Sequence, residues 1–348
     1  MISLAGLLLG LIIAVGGTRA SMALARALGI LDFPGEIKIH GKPTPRFGGF
    51  GIALGTLVAY LVAARVTGLW RRWDIATLGG ALVIGSIGAV DDIRGLRPLY
   101  KLLGQFVAGT AFVVMSWPGL EGETLPGLLA FPYVALGVLV IAFMSNALNL
   151  LDGMDGLAAG TTVVMASFLT ILAFLEGKQE LALTLGTLVG ACLGFLIYNA
   201  PPAKTFMGDI GSLFLGYMMA IAGLQLCFMQ PISVAKVLGV LLVLAVPIVD
   251  TCLAMLRRLR GHHDVFSGDR YHIYDCIHRK LGGDTWRTLG VMWGITLLGG
   301  AAGLLAFFAD TSVAVLIAAL VILGMLALAS RVGSLRASPR PGKRGVPL

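Results

Sequence analysis

The chain has 348 residues, of which 57% are hydrophobic and only 13% are charged, and its formal net charge is +8. Soluble domains carry about a quarter charged residues, so this composition excludes a soluble globular protein and indicates an integral membrane protein. The 48 glycines suit close packing of helices in lipid. We therefore expect an all-α, polytopic membrane protein.

Eleven apolar stretches have roughly the 17 to 25 residues that a helix needs to cross a bilayer. They lie near residues 2–20, 48–67, 74–91, 101–117, 131–148, 157–175, 182–199, 211–229, 234–256, 287–309 and 311–330. This pattern predicts one transmembrane domain over residues 1–330 with about eleven helices. The tail over residues 331–348 is basic and rich in Gly, Ser and Pro, and we expect it to be disordered.

Lysine and arginine predict the orientation, because cytoplasmic loops are enriched in both. Of the 26 basic residues, all but five lie near the connections that follow the odd-numbered stretches or in the C-terminal tail. The exceptions are Arg65, Arg71, Arg72, Lys178 and Lys236. We therefore expect a periplasmic N-terminus and a cytoplasmic C-terminus. The cytoplasmic positive charge could attract lipid headgroups or phosphorylated substrates, and nothing further indicates a nucleic-acid partner.

Acidic and polar clusters close the odd-numbered stretches on that same face. The first is Asp91-Asp92, which ends the third stretch. Adjacent carboxylates ionise together only when a cation is near, and Arg94, Arg97, Lys101 or a divalent ion could supply it. The alternative is a solvated loop with a helix cap.

The second and third clusters each precede a predicted helix. Asn149, Asp152 and Asp155 follow the fifth stretch, and their oxygens suit a hard cation such as Mg²⁺. The third cluster runs from Asn199 to Asp209. Asp155 and Asp209 could each simply cap the next helix. Three acidic loops on one face are nevertheless better explained by one shared site than by three unrelated caps.

Asp250 lies inside the ninth stretch, and either forms the floor of a pocket or pairs with a neighbouring polar group. In the polar segment that follows, a helix would place His272, Asp275 and Arg279 on one face. Histidine and arginine there could bind phosphates, or the segment could be an ordinary polar lid. It contains no HExxH or comparable zinc motif.

At these clusters the chain resembles the polyprenyl-phosphate N-acetylhexosamine-1-phosphate transferases of glycosyltransferase family 4. The resemblance runs from the Pro43–Gly49 loop to Gly283 and depends on three motifs in order. These are Asp-Asp, Asn-x-x-Asp-Gly-x-Asp-Gly and Phe-Met-Gly-Asp-x-Gly-Ser. It implies a multi-pass protein of the bacterial inner membrane with its active site on the cytoplasmic face.

The resemblance also implies the reaction and the roles of its residues. A sugar-1-phosphate, with GlcNAc-1-phosphate favoured, passes from a UDP-sugar to undecaprenyl phosphate, with release of UMP. The cofactor is Mg²⁺, with Mn²⁺ as the alternative, and the family implies a homodimer. The catalytic positions are Asp91, Asp92 and Lys101; those nearest the metal are Asn149 and Asp209; those that bind substrate are Asp152, Asp155, Asn199, Phe206, Arg270 and His272.

The chain departs from the family in the last motif, where many bacterial relatives read Asp-Arg-x-His-x-His-His. Tyr274 and Asp275 replace two of these histidines, and His278, one turn later, could substitute for one. The change leaves the sugar open. Another UDP-N-acetylhexosamine stays an alternative, and a MurNAc-pentapeptide donor is disfavoured because the triple histidine is missing.

Two other classes of membrane protein share some of these features. An ion-coupled transporter also uses acidic residues in a helical bundle, but its sites usually lie near the midplane of the membrane. The CDP-alcohol phosphotransferase motif begins like Asp152 to Ala159, but Gly160 stands where that motif needs arginine. Both classes are therefore less favoured.

Overall fold

The computed structural model describes residues 2–33, 43–69, 72–116, 127–227, 232–261 and 270–335. Within them lie thirteen helices and one two-stranded antiparallel sheet. The helices are α1 (Ile2–Leu28), α2 (Gly49–Thr67), α3 (Arg72–Arg94), α4 (Pro98–Met115), α5 (Gly127–Leu151), α6 (Leu157–Leu175), α7 (Gln179–Asn199), α8 (Gly208–Cys227), α9 (Val234–Val243), α10 (Ala245–Arg260), α11 (Ile273–Lys280), α12 (Thr285–Phe308) and α13 (Thr311–Val332). The strands are β1 (Leu31–Asp32) and β2 (Thr44–Pro45).

The predicted multi-pass, all-α fold is confirmed. Ten of the described helices are long and apolar enough to cross a membrane, and α9 together with α10 would make an eleventh span. Several helices extend further than the apolar stretches predicted: α3 continues to Arg94 and α5 to Leu151. The first two polar clusters therefore begin on helix ends, whose backbone is rigid. The orientation of the termini stays a prediction.

The ninth span is broken rather than straight, which the hydropathy pattern did not predict. Helices α9 and α10 meet at Leu244 with a bend of 79°. Pro247 provides the cause, because it lacks an N–H and its ring would clash with the carbonyl of Val243 in a continuous helix. The bend places Asp250 on a separate helix, α10.

Helix α8 lies at the centre of the bundle, and all its residues from Gly208 to Leu224 are buried. Glycines let other helices approach its first turn. A Cβ added at Gly88 of α3 would lie 2.5 Å from the Ile210 Cα, and one at Gly49 of α2 would lie 2.3 Å from the Gly211 Cα. The end of α3 and the beginning of α2 therefore meet at the beginning of α8.

The described residues at the C-terminal end pack against the rest of the protein. Arg331 and Val332 complete α13, and Ser334 is fully buried. The Ser334 hydroxyl donates to the Tyr271 carbonyl at 2.8 Å and accepts from Arg257 at 3.1 Å. The tail that we expected to be disordered thus begins with a helix end and a turn, and residues 336–348 lie outside the described residues.

Candidate active site

Three carboxylates meet where α3 ends and α8 begins. Asp91 and Asp92 lie in the last turn of α3, and Asp209 is the second residue of α8. One oxygen of each carboxylate lies within 4.8 Å of the other two. Clustered carboxylate oxygens are ligands that Mg²⁺ accepts. The residues present therefore fit the predicted metal, which carboxylate oxygens of this cluster would hold.

Asp92 caps the N-terminus of α8. Its two oxygens accept hydrogen bonds from the backbone N–H groups of Asp209 (2.9 Å) and Ile210 (3.1 Å), which have no partner within the helix. Gly208 has a φ of +71°, and an added Cβ there would lie 2.4 Å from an Asp92 oxygen. Asp209 therefore lies inside the first turn of α8 instead of preceding the helix, which argues against the alternative that it merely caps α8.

Two basic side chains bridge these carboxylates. The Lys101 ammonium of α4 lies 3.2 Å from Asp91 and 2.8 Å from Asp209. The Arg46 guanidinium lies 3.4 Å from Asp92 and 3.3 Å from Asp209. With all five groups ionised the cluster keeps one net negative charge. Lys101, predicted from the sequence, is thus brought into the site directly.

Arg46 is a site residue that our reading of the sequence missed. It belongs to the Pro43–Gly49 loop, which contributed to the resemblance but received no role. Backbone hydrogen bonds hold this loop against the segment before α8: Phe206 N–H donates to Pro45 (2.8 Å) and Gly48 N–H donates to Phe206 (2.9 Å). In the sequence Arg46 stands three residues before Gly49. The close contact of Gly49 with α8, which explains the position of Arg46, is visible only in three dimensions.

The last turn of α5 lies next to the first turns of α8. Asn149 donates to the Ser212 hydroxyl at 2.9 Å, which places its amide one turn from Asp209. Because its nitrogen faces Ser212, the Asn149 oxygen is the atom that would face a metal. The predicted metal role of Asn149 is therefore compatible with its position.

Asp155 and Asn199 connect the second and third polar clusters. Asp155 accepts from the Ala203 N–H at 2.9 Å, and Asn199 accepts from the Gly156 N–H at 2.9 Å. The N-cap residue of α6 is Gly156 in a left-handed conformation, without a side-chain cap. Asp155 thus bonds a residue distant in sequence, which the helix cap that we considered does not explain. The connection between α5 and α6 and the connection between α7 and α8 together form one wall of the site.

Asp152 lies within electrostatic reach of the acid cluster. Burial raises the pKa of its carboxyl well above the ordinary value, and the negative charges of Asp209, Asp92 and Asp155 raise it further, whereas Arg46 lowers it. Part of the residue remains accessible. Asp152 can therefore meet a ligand as an uncharged hydrogen-bond donor or as a carboxylate.

The last motif reaches the site through Tyr274. His272 precedes α11, and its ring stacks on that of Tyr274 with centroids 5.5 Å apart. The Tyr274 hydroxyl donates to the Leu150 carbonyl at 3.4 Å, and an added Cβ at Gly153 would lie 2.0 Å from it. The tyrosine that replaces a family histidine therefore lies against the second polar cluster.

Other residues of this motif lie further out or outside the described residues. Arg270 is exposed, and its carbonyl accepts from Arg279 at 2.7 Å. His278 is hydrogen-bonded with Thr288 of α12 at 3.2 Å, so this histidine binds a neighbouring helix. Asp269 lies outside the described residues. Asp250 pairs with a neighbouring polar group, which is one of the two alternatives that we left open: its carboxylate lies 2.6 Å from the ring of His272.

Comparisons with known proteins identify relatives of this chain. Residues 75–227, which include the three polar clusters, match the family model described as glycosyl transferase family 4. The probable undecaprenyl-phosphate N-acetylglucosaminyl 1-phosphate transferase of Bacillus subtilis (strain 168) is 36% identical over 268 residues, covering 74% of this chain and 71% of that protein.

Two further relatives extend the match. The decaprenyl-phosphate N-acetylglucosaminephosphotransferase of Mycobacterium tuberculosis (strain ATCC 25618 / H37Rv) is 32% identical over 351 residues, covering 88% of this chain and 83% of that protein. The phospho-N-acetylmuramoyl-pentapeptide-transferase of Caldicellulosiruptor bescii is 31% identical over 279 residues, covering 75% and 83%. The resemblance that the motifs carried is thereby confirmed.

Proposed function

This chain belongs to glycosyl transferase family 4 and is a phosphoglycosyltransferase, and from that premise we propose that it transfers GlcNAc-1-phosphate from UDP-GlcNAc to undecaprenyl phosphate. An oxygen of the lipid phosphate forms a bond to the β-phosphorus of the donor. The bond from that phosphorus to the bridging oxygen breaks, and UMP leaves with the electron pair. The product is a lipid-diphosphate-linked sugar for cell-envelope polysaccharide synthesis.

The cluster of Asp91, Asp92 and Asp209 with Lys101 is the observation that carries this proposal. Phosphoryl transfer depends mainly on positioning and on stabilisation of charge. The cluster offers oxygen ligands for Mg²⁺, which when bound would offset charge on the diphosphate. Lys101 and Arg46 are cations that can interact with phosphate oxygens once a divalent ion shares the carboxylates.

The two aspartates of the pair have different tasks in this mechanism. Asp92 is engaged by two backbone N–H groups, so it holds α8 and Asp209 in place. Asp91 bonds Lys101 and the Leu96 N–H, and its carboxylate is the one that can orient the lipid phosphate or accept its proton. The second pKa of such a phosphate is about 6, so little base catalysis is needed at neutral pH.

The donor's nucleotide is assigned to the wall formed by the second and third polar clusters. Asp152, Asp155, Asn199 and Phe206 lie on this wall. The beginning of α6 also presents backbone N–H groups, which favour a phosphate. We assign the diphosphate to the space between this wall and the acid cluster, with His272 and Arg270 on the side of the last motif.

The membrane setting supports the same assignment. The acid cluster lies at helix ends rather than in mid-span, where transporter sites usually lie. The excess of lysine and arginine on the same side predicts the cytoplasmic face of a bacterial inner membrane. A lipid acceptor would reach the cluster from the bilayer, and a nucleotide sugar would reach it from the cytoplasm.

A MurNAc-pentapeptide donor is the second candidate, because a relative named for that transfer is 31% identical. The relatives named for GlcNAc transfer are 36% and 32% identical and match 74% and 88% of this chain. Two other relatives named for pentapeptide transfer are 37% and 39% identical, but they match only 59% and 50% of it. Tyr274 also occupies the position of a family histidine beside the site. We therefore favour GlcNAc.

The test is release of UMP by the purified protein with undecaprenyl phosphate, Mg²⁺ and each of UDP-GlcNAc, UDP-GalNAc and UDP-MurNAc-pentapeptide. We expect UMP only when lipid, metal and UDP-GlcNAc are all present. Asp209→Asn should abolish release, and Asp284→Asn, at the exposed N-cap of α12, should retain it. Absence of UMP with every donor, in protein shown to be folded, would overturn the proposal.

A further inference from the structure

An aspartate and a histidine form a buried pair outside the acid cluster. The Asp250 side chain of α10 lies 2.6 Å from the His272 Nδ1, and the two residues are 1% and 3% exposed. The second Asp250 oxygen accepts from the Ile273 N–H at 2.7 Å. Buried polar groups need such partners, and this carboxylate has one on each oxygen.

These two contacts determine which nitrogen of His272 carries a proton. A carboxylate only accepts hydrogen bonds, so Nδ1 must be the donor to Asp250. Nε2 is then the ring atom that points away from α10.

Tyr274 holds the ring from a second direction. It stacks on His272 with an angle of 14° between the rings, and its hydroxyl bonds the Leu150 carbonyl at the end of α5. The imidazole is thus held in its plane by Asp250 and on its face by Tyr274. The second contact connects it to the end of α5, where the second polar cluster begins.

We propose that Asp250 is a positioning residue that acts through His272, holding the ring with Nδ1–H on Asp250 so that Nε2 is presented to the diphosphate of the donor. The inference rests on the proposed function for the identity of that ligand. Carboxylates that orient a metal-binding histidine typically contribute 10- to 100-fold to metal affinity or activity, and we expect an effect of the same size for a phosphate-binding histidine.

Asp250→Asn tests the geometry without the reaction. The Ile273 N–H needs the oxygen of the new amide, so the amide nitrogen would face His272 and Nδ1 would become an acceptor. In protein labelled with ¹⁵N-histidine, solid-state NMR should show Nδ1 of His272 protonated in the wild type and unprotonated in Asp250→Asn. The signal is assigned by its loss in His272→Gln. An unprotonated Nδ1 in the wild type would overturn the proposal by itself.

A double-mutant comparison tests whether Asp250 acts through the histidine. We expect Asp250→Asn to lower kcat for UMP release about 10- to 100-fold, and to cost nothing further in the His272→Gln background. Asp284→Asn is the matched control and should keep wild-type kcat. An equal loss in both backgrounds would overturn the proposal and indicate a purely structural aspartate. If the wild type releases no UMP, the proposed function fails, while the NMR result still decides the pairing.

Discussion

Asp92 caps the helix that carries Asp209, accepting its N–H at 2.9 Å. The Asp92 side chain has no exposed surface, whereas its neighbour Asp91 bonds the Lys101 ammonium. Two adjacent carboxylates, which look equivalent in the sequence, therefore have different partners. One organises the backbone of α8, and the other belongs to the charged face of the site.

Substitution should separate these two aspartates. In Asp92→Asn an amide NH₂ group replaces one of the two carboxylate oxygens that accept from the backbone N–H groups of α8, so one N–H loses its acceptor. We expect the protein to lose about 1–3 kcal/mol of stability and to lose activity. Asp91→Asn should lose activity with little change in melting temperature. Thermal unfolding in detergent and UMP release measure both. Near-normal activity of Asp91→Asn would exclude it as an essential base.

Lys101 competes with a divalent ion for the same carboxylates. Lys101→Met should therefore lower activity about 100- to 1,000-fold, the loss typical when one group that stabilises transition-state charge is removed. Binding of Mn²⁺, followed by electron paramagnetic resonance, should become tighter in this variant. Lys101→Arg, which keeps the charge, is the control. Weaker Mn²⁺ binding in Lys101→Met would contradict the competition.

Arg46 should matter for activity through its charge and its two contacts. Arg46→Met is expected to lower UMP release by about 10- to 100-fold, since a cation beside the diphosphate is lost, and Arg46→Lys should recover part of it. Arg65→Met is the control: it removes a basic residue from the last turn of α2, at the end of that helix away from Arg46. Equal activity of the Arg46→Met and Arg65→Met variants would remove Arg46 from the site.

Gly208 is required for its conformation and for its contact with Asp92. Gly208→Ala would meet an Asp92 oxygen at 2.4 Å in addition to the cost of a positive φ, about 1–2 kcal/mol. Gly68→Ala has a similar φ of +70° with no atom within 4 Å, so it measures the backbone cost alone. We expect a lower melting temperature and less activity for Gly208→Ala than for Gly68→Ala. Equal effects would show that the contact is unimportant.

Asp152 should make stability fall as pH rises. Burial raises the pKa of its carboxyl in the folded protein, so the unfolded chain loses this proton first, near pH 4. The folded state is then relatively destabilised from that pH until its own pKa is passed. Without metal, Asp152→Asn should raise the melting temperature at pH 8 and flatten its decline between pH 5 and 8. A curve parallel to that of Asp284→Asn would contradict this.

Some of the site could be read from residue patterns, and some could not. Lys101 and the Asp91-Asp92 pair lie on either side of the short connection between α3 and α4, so their association was predictable from proximity. Arg46 was missed because its partners lie 46 and 163 residues away, at Asp92 and Asp209. The role of Asp250 was left open for the same reason, since its partner His272 lies 22 residues away.

Hydropathy by itself determined that the chain is a multi-pass helical membrane protein with its polar clusters at helix ends. That inference succeeds because the free energy of transferring a segment into lipid depends on the residues of that segment alone. Only the tertiary structure decided which carboxylates share a site and which one caps α8. These pairings depend on helices that approach through Gly49, Gly88 and Gly211, and on a bend at Leu244. Such contacts join residues distant in sequence, whose packing energy is not a property of either segment.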